Sequence, residues 1–235
     1  MPARNVVKSY VSDSFYHLYN RGANKQEIFR DQQDYQVLIK YLSQYLLPKD
    51  ENYLLSVISN PRSNYKDREK AQKLLHLNNF SQTIQLHAYT LMPNHFHMLV
   101  YQTENDAIDR FMNSLWTRYS MYFNKKYKYV GRIFQSLYKG VIITNDSQNI
   151  HLSRYIHLNS IAHHRYRNPA SKGSALRGYI FSSYLEYLGL RKTLWIHTEE
   201  ILGHFNSSLS YQDFVESYEN DEETALSIAP IIIEE

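Results

Sequence analysis

Two histidines separated by one bulky residue, His95 and His97, lie in the run Met92-Pro93-Asn94-His95-Phe96-His97-Met98-Leu99-Val100. From His95 onward the run is apolar and reads as a β-strand, whose side chains alternate between two faces. Both imidazoles therefore project on one side, and Phe96 and Met98 on the other. Two imidazoles side by side make half of a metal site, although the same spacing also arises in strands that bind nothing. A second set lies further on, in Arg154-Tyr155-Ile156-His157-Leu158-Asn159. Tyr155 and Asn159 are spaced to share one face of a helix, with His151 one turn before Tyr155. A phenol oxygen is a potential nucleophile and a carboxamide oxygen a potential metal ligand, whereas most helical tyrosines only pack.

The elements that must position these groups follow from the pattern around them. Residues 14–20 alternate as a first strand, with Phe15, His17 and Tyr19 on one face and Tyr16 and Leu18 on the other, before a turn at Arg21-Gly22. Asp31 caps a helix whose Tyr35, Leu38, Ile39, Leu42 and Leu46 recur at helical spacing, and Pro48 ends it. Residues 49–81 are polar and uneven, and are expected to form an insertion with one short helix near 67–77. A strand over 85–91 has Ile84, Leu86 and Ala88 opposite Gln85, His87 and Tyr89. With the turn Met92-Pro93-Asn94 and the strand from His95, it makes a hairpin. His87 joins the metal set or serves as a hydrogen-bonded structural residue. A helix over 106–125 buries Ile108, Phe111, Leu115, Tyr119 and Tyr122. After a basic loop, Val141-Ile142-Ile143 is a short strand, and Asn145 starts the helix that carries Tyr155, with Gln148 as a capping-box variant. Thr198 and Ser210 are expected to cap two C-terminal helices.

The bulk properties narrow the function classes. The chain has 235 residues, no cysteine and a formal net charge of +3. The cysteine count excludes disulfide frameworks, thiolate zinc sites and cysteine nucleophiles, and it fits a reducing cytoplasm. No apolar run is long enough for a membrane span, and Met1 to Asn5 are followed by no apolar segment of a secretory signal. Lys125, Lys126, Lys128 and Arg132 form one basic cluster, and His163, His164, Arg165 and Arg167 another. Glu216, Glu219, Asp221, Glu222, Glu223, Glu234 and Glu235 make the C-terminal end acidic. A basic body of this kind suits a nucleic-acid partner, and some of the 22 tyrosines have the character of base-stacking platforms.

Taken together, four segments in order resemble the single-tyrosine HUH, or IS200-like, transposases, and most of all their REP-associated branch. They are Tyr16-His17-Leu18-Tyr19-Asn20-Arg21-Gly22, the run from His87 to Leu99, Gly131-Arg132-Ile133-Phe134-Gln135 with Tyr138-Lys139, and Arg154 to Asn159. Phe181-Ser182-Ser183-Tyr184 resembles a fifth. The resemblance covers about residues 14–187 with 49–81 outside it. It implies an α+β fold in which helices pack on an antiparallel, ferredoxin-like sheet. It also implies a transposase domain over 1–190, a helical appendage over 191–218 and an acidic tail over 219–235. In the site it implies, His95 and His97 bind Mg²⁺ or Mn²⁺, Tyr155 is the nucleophile, and Asn159 is a third ligand where relatives often carry Gln. His157 and Lys139 are secondary candidates, and the basic cluster of Lys125, Lys126, Lys128 and Arg132 is expected to contact DNA. Ser160 departs from the family, where Pro is usual.

The implied activity is nicking and joining of single-stranded or hairpin DNA through a 5′-phosphotyrosine, by a cytoplasmic, nucleoid-associated protein that is a monomer or a homodimer. Two other readings stay open on the residues alone. One is a domesticated protein that holds DNA hairpins with little or no cleavage; the other is a metal-dependent hydrolase in which Tyr155 is structural.

Overall fold

A computed structural model describes residues 10–161 and 169–217, with the side chains of residues 169 and 170 left aside. The elements run β1 (Ser14–Arg21), α1 (Gln32–Leu46), α2 (Glu51–Ser59), α3 (Tyr65–Leu75), β2 (Ile84–Met92), β3 (His95–Gln102), α4 (Ala107–Tyr127), β4 (Lys139–Ile143), α5 (Asp146–Asn159), α6 (Pro169–Gly178), α7 (Tyr184–Tyr187), α8 (Glu199–Leu202) and α9 (Ser208–Glu216). The strands form one antiparallel sheet in the order β2-β3-β1-β4. The fold is therefore α+β, as expected.

Alternation along the central strands divides the molecule into two cores. Tyr16 and Leu18 of β1 and Phe96, Met98 and Val100 of β3 pack with Leu38 and Leu42 of α1 and Phe111, Leu115 and Tyr119 of α4. On the opposite side, Leu99 and Ile143 pack with Leu152 and Ile156 of α5, and with Tyr184, Tyr187, Ile201, Tyr211 and Val215 from the C-terminal helices. Full burial of one such side chain is worth about 1.5–3 kcal/mol, so both helical layers are held by the sheet and not by helix propensity.

Simple alternation fails once in β2. Leu86 pairs with Val100 and Ala88 with Leu99, so His87 is an extra residue in a β-bulge. Leu86 consequently joins the first core while Ala88 joins the second, although the sequence pattern puts them on one face.

Residues 49–81 contain two helices, not one. Asp50 caps α2 by accepting from the Tyr53 amide, and Asn64 caps α3 by accepting from that of Asp67. In α2 only Leu54 is buried, so it has no wide apolar stripe to announce it. Lys49 ties this region down by donating from Nζ to the carbonyls of Leu75 and Leu77 at 2.8 and 2.6 Å. The last helix starts a turn earlier than expected: Ser207 is its cap, and Ser210 is the reciprocal partner in the capping box. The acidic tail beyond residue 217 and the cluster of His163, His164, Arg165 and Arg167 lie outside the described residues. Among the described residues, no helix is long and apolar enough to cross a membrane.

Candidate active site

The site is built on the sheet face covered by α5. Strand register sets its rows. His97 lies between Thr90 of β2 and Tyr19 of β1, and Tyr19 in turn faces Lys139 of β4. One rung along, His95 lies between Met92 and Arg21. The turn that launches β3 is clamped by the loop after β1. The Gly22 amide donates to the Asn94 carbonyl at 2.8 Å, and those of Ile28 and Phe29 donate to that of Pro93. A Cβ on Gly22 would come within 2.1 Å of the Gln26 carbonyl oxygen, so only glycine fits there. The amide of Ala23 donates to Ile133 and that of Gln135 to Arg21. The Asn20-Arg21-Gly22, Pro93-Asn94 and Gly131–Gln135 segments thus meet at one end of the sheet.

The two imidazoles are neighbours. Their ring centroids are 5.2 Å apart at 89°, and both residues are buried. Helix α5, whose first turn is capped by Asn145, lays Tyr155 and Asn159 over them. Asn159 Oδ1 is 3.1 Å from His95 Nε2, and the Tyr155 ring sits edge-on to His97 with centroids 5.4 Å apart. All four residues come from one chain. Gln148 accepts from Thr144 instead of from the capping residue, so the expected capping box is displaced by one position.

Protonation follows from the partners. His95 Nδ1 is 2.6 Å from Asn94 Oδ1, which only accepts, so Nδ1 carries the proton and Nε2 presents its lone pair. That lone pair faces the Asn159 carboxamide oxygen, another electron donor. Adjacent ligands of an octahedral Mg²⁺ lie about 3 Å apart, since each is about 2.1 Å from the ion. The donor set therefore fits a divalent cation between them. Burial, followed by the nearby His17, His95 and Arg21, holds the pKa of His97 well below the usual histidine range. A neutral imidazole is the form that ligates.

One participant escaped the sequence reading. His17, fully buried in β1, places Nε2 2.9 Å from His97 Nδ1, and its ring stacks on Tyr19 with centroids 4.7 Å apart. Were His97 to hold a metal through Nε2, its Nδ1–H would donate to His17 Nε2, and that contact would fix the tautomer that ligates. The signal was the shared face of Phe15, His17 and Tyr19, which becomes informative only when Tyr19 is known to pair with His97.

The other candidates separate by location. Lys139 lies beside the site, with Nζ 5.8 Å from the Tyr19 ring centroid. His157 is engaged elsewhere: Nδ1 bonds Tyr211 Oη at 2.8 Å and Nε2 bonds Ser183 Oγ at 2.9 Å, and burial lowers its pKa to about 3. Ser183 also accepts from the Tyr89 amide, so His157 links α5 to β2 and α9. Lys126 is paired with Asp31 and the buried Asp34, each at 2.7 Å, and braces α4 against α1. Lys125, Lys128 and Arg132 are exposed. His87 is buried apart from the pair, and neither ring nitrogen has a hydrogen-bond partner. Among the described residues no cluster of three His, Cys, Asp or Glu forms a metal site. An Asn-containing set with two histidines is a different class of site.

Residues 53–159 match the family model described as IS200-like transposase. This bears out the family resemblance over a segment that contains His95, His97, Tyr155 and Asn159, and that includes most of the helical insertion. No curated protein sequence matches the chain. A solved structure described as the REP-associated tyrosine transposase bound to a REP hairpin aligns with a TM-score of 0.42 at 12% identity, covering 82% of this chain and 96% of that chain.

Proposed function

We propose that this chain, an IS200-like transposase over residues 53–159, is a single-strand DNA nickase and strand transferase that acts on hairpin DNA with Tyr155 as nucleophile. The observation that carries the reading is the meeting, within one chain, of the Tyr155 ring and the His95–His97 pair. His95, His97 and Asn159 would hold Mg²⁺ or Mn²⁺, which when bound polarises a phosphate oxygen and offsets charge growing in the transition state.

The chain's own residues supply the rest. The Tyr155 oxygen attacks phosphorus, an O–P bond to tyrosine forms, and the bond from phosphorus to the 3′-oxygen breaks. The 5′-phosphate stays on the tyrosine. A phenol's ordinary pKa is about 10, so the proton must leave as attack proceeds; Tyr155 is partly buried against the second core, and water reaching the site with the substrate would accept that proton. The departing 3′-oxygen takes up a proton. Because the phosphotyrosine is itself an ester, a 3′-hydroxyl can attack it in reverse, which joins strands without an external energy source. Lys139, whose Nζ lies 5.8 Å from the Tyr19 ring centroid at the edge of this row, would be the cation offered to a phosphate. The Tyr155 ring lying against His97, beside the His95–Asn159 contact, favours this over mere hairpin binding.

The test is incubation of labelled single-stranded hairpin DNA with the protein and Mn²⁺, followed by denaturing electrophoresis. A protein–DNA adduct that Tyr155→Phe abolishes supports the reading. Binding without an adduct under Mn²⁺ and Mg²⁺ points to a hairpin-binding protein. Cleavage that survives Tyr155→Phe points to a hydrolase.

A further inference from the structure

A cavity of about 480 Å³ opens on the outer side of the α1–α4 layer, where the helical insertion packs beside it. It belongs to the helices of the first core, so the sheet separates it from the histidine pair. Its chemistry is one-sided. Lys66, Lys70 and Lys73 of α3 line it, as do Lys40 of α1 and Arg118 of α4, against a single carboxylate, Glu69. That carboxylate is already paired with Lys73. Lys66 and Lys70 are one turn apart on α3, a like-charge spacing that disfavours a helix unless something between the charges relieves it.

The floor is built for more than a counter-ion. The Arg118 guanidinium lies 3.8 Å from the Tyr41 ring centroid, and its Nη1 is buried with no hydrogen-bond partner. Val37, Leu74 and Leu77 add apolar surface. A guanidinium held against an aromatic ring, ringed by lysines and floored by apolar groups, matches an anion that carries a flat or apolar body. Volumes of this size are those of ordinary ligand sites.

We propose that this groove is a second nucleic-acid site, which takes the phosphodiester backbone of a single-stranded polynucleotide, with Arg118 and the α3 lysines on phosphates and Tyr41, Val37 and Leu74 against a base or sugar. Lysine and arginine on phosphates release counter-ions, and the aromatic and apolar floor tolerates any base. The choice of a polynucleotide among polyanions rests on the transposase reading, whereas the site itself does not depend on Tyr155 chemistry.

The experiment is fluorescence anisotropy with a labelled oligothymidylate of about 20 nucleotides, which has no hairpin, at several salt concentrations. The protein carries Tyr155→Phe, so no adduct forms, and it is compared with the same protein bearing Lys66→Glu and Lys70→Glu. Both lysines are exposed on a surface helix, so the fold is retained, and Arg118→Gln provides a second variant of neutral charge. The expected result is at least tenfold weaker binding for the double variant and a salt slope smaller by about two, one per lost phosphate contact. Arg118→Gln should weaken binding about threefold or more. Unchanged affinity and slope in both variants overturn the proposal. Equal competition by millimolar inorganic phosphate and by an oligonucleotide of matched phosphate concentration also overturns it, since the groove would then hold a lone phosphate. Loss of the Tyr155 adduct in the separate hairpin assay, with the anisotropy effects intact, would count against the catalytic reading and leave this one standing.

Discussion

His17 shows how a residue without chemistry of its own can decide what its neighbour does. Its Nε2 meets His97 Nδ1 at 2.9 Å, deep in the sheet, and so selects which nitrogen of His97 turns outward. Replacing it with phenylalanine keeps the stacking on Tyr19 and removes the acceptor. His17→Phe is expected to fold, to weaken Mn²⁺ binding by about 10–100-fold in calorimetry, and to lower adduct yield only at limiting metal. Equal loss at saturating Mn²⁺ would mean that the contact does something other than orient a ligand. His87 behaves differently. Burial, then the charge of His197 nearby, lowers its pKa from 6.5 to about 3, so the folded protein stays unprotonated there while the unfolded chain takes up a proton near pH 6.5. Its contribution is therefore complete above pH 6.5 and is lost as pH falls toward 3, by about 1.4 kcal/mol per unit. Urea denaturation at pH 7.5 and pH 5 should show a drop that is about 2 kcal/mol smaller in His87→Leu.

At the scale of elements, the chemistry depends on where α5 lies across β2 and β3. Apolar contacts through Leu152 and Ile156 hold it down, and the chain Tyr89–Ser183–His157–Tyr211 fixes it along its length. His157→Ala would open a cavity and leave the Tyr211 hydroxyl and Ser183 without that partner, at a cost of about 3 kcal/mol in urea denaturation. Mn²⁺ affinity at low temperature should be unchanged, because His157 is not among the converging donors; a matching loss of metal binding would restore it as a ligand. The hairpin of β2 and β3, β1, and the helices α1, α4 and α5 were legible in the sequence because alternation and helical periodicity are local signals. The bulge at His87 was not, since it is visible only in pairing with Val100 and Leu99. Helix α2 was hidden because just one of its residues is buried, although its Asp50 cap stood in plain view. The roles of Lys126 and His157 depend on Asp31 and Asp34 and on Tyr211, partners that are distant in sequence and that no spacing rule connects to them.

At the scale of the whole molecule, one sheet separates the two proposed sites. The α5 face gathers His95, His97, Asn159 and Tyr155. The α1–α4 face carries the basic groove beside the insertion. The pairing of the histidines with Tyr155 was foreseeable from the family resemblance; the distance between them, and the place of His17, required the strand register. In the proposed reaction Tyr155, which lies against His97, becomes esterified to DNA. Its most direct test is mass spectrometry of protein incubated with a single-stranded hairpin and Mn²⁺, then digested with nuclease and trypsin. The expected product is a nucleotide linked through its 5′-phosphate to the peptide Tyr155–Arg165, absent when His95 and His97 are both alanine. DNA cleaved with that peptide unmodified, or the nucleotide found on another tyrosine, would contradict it.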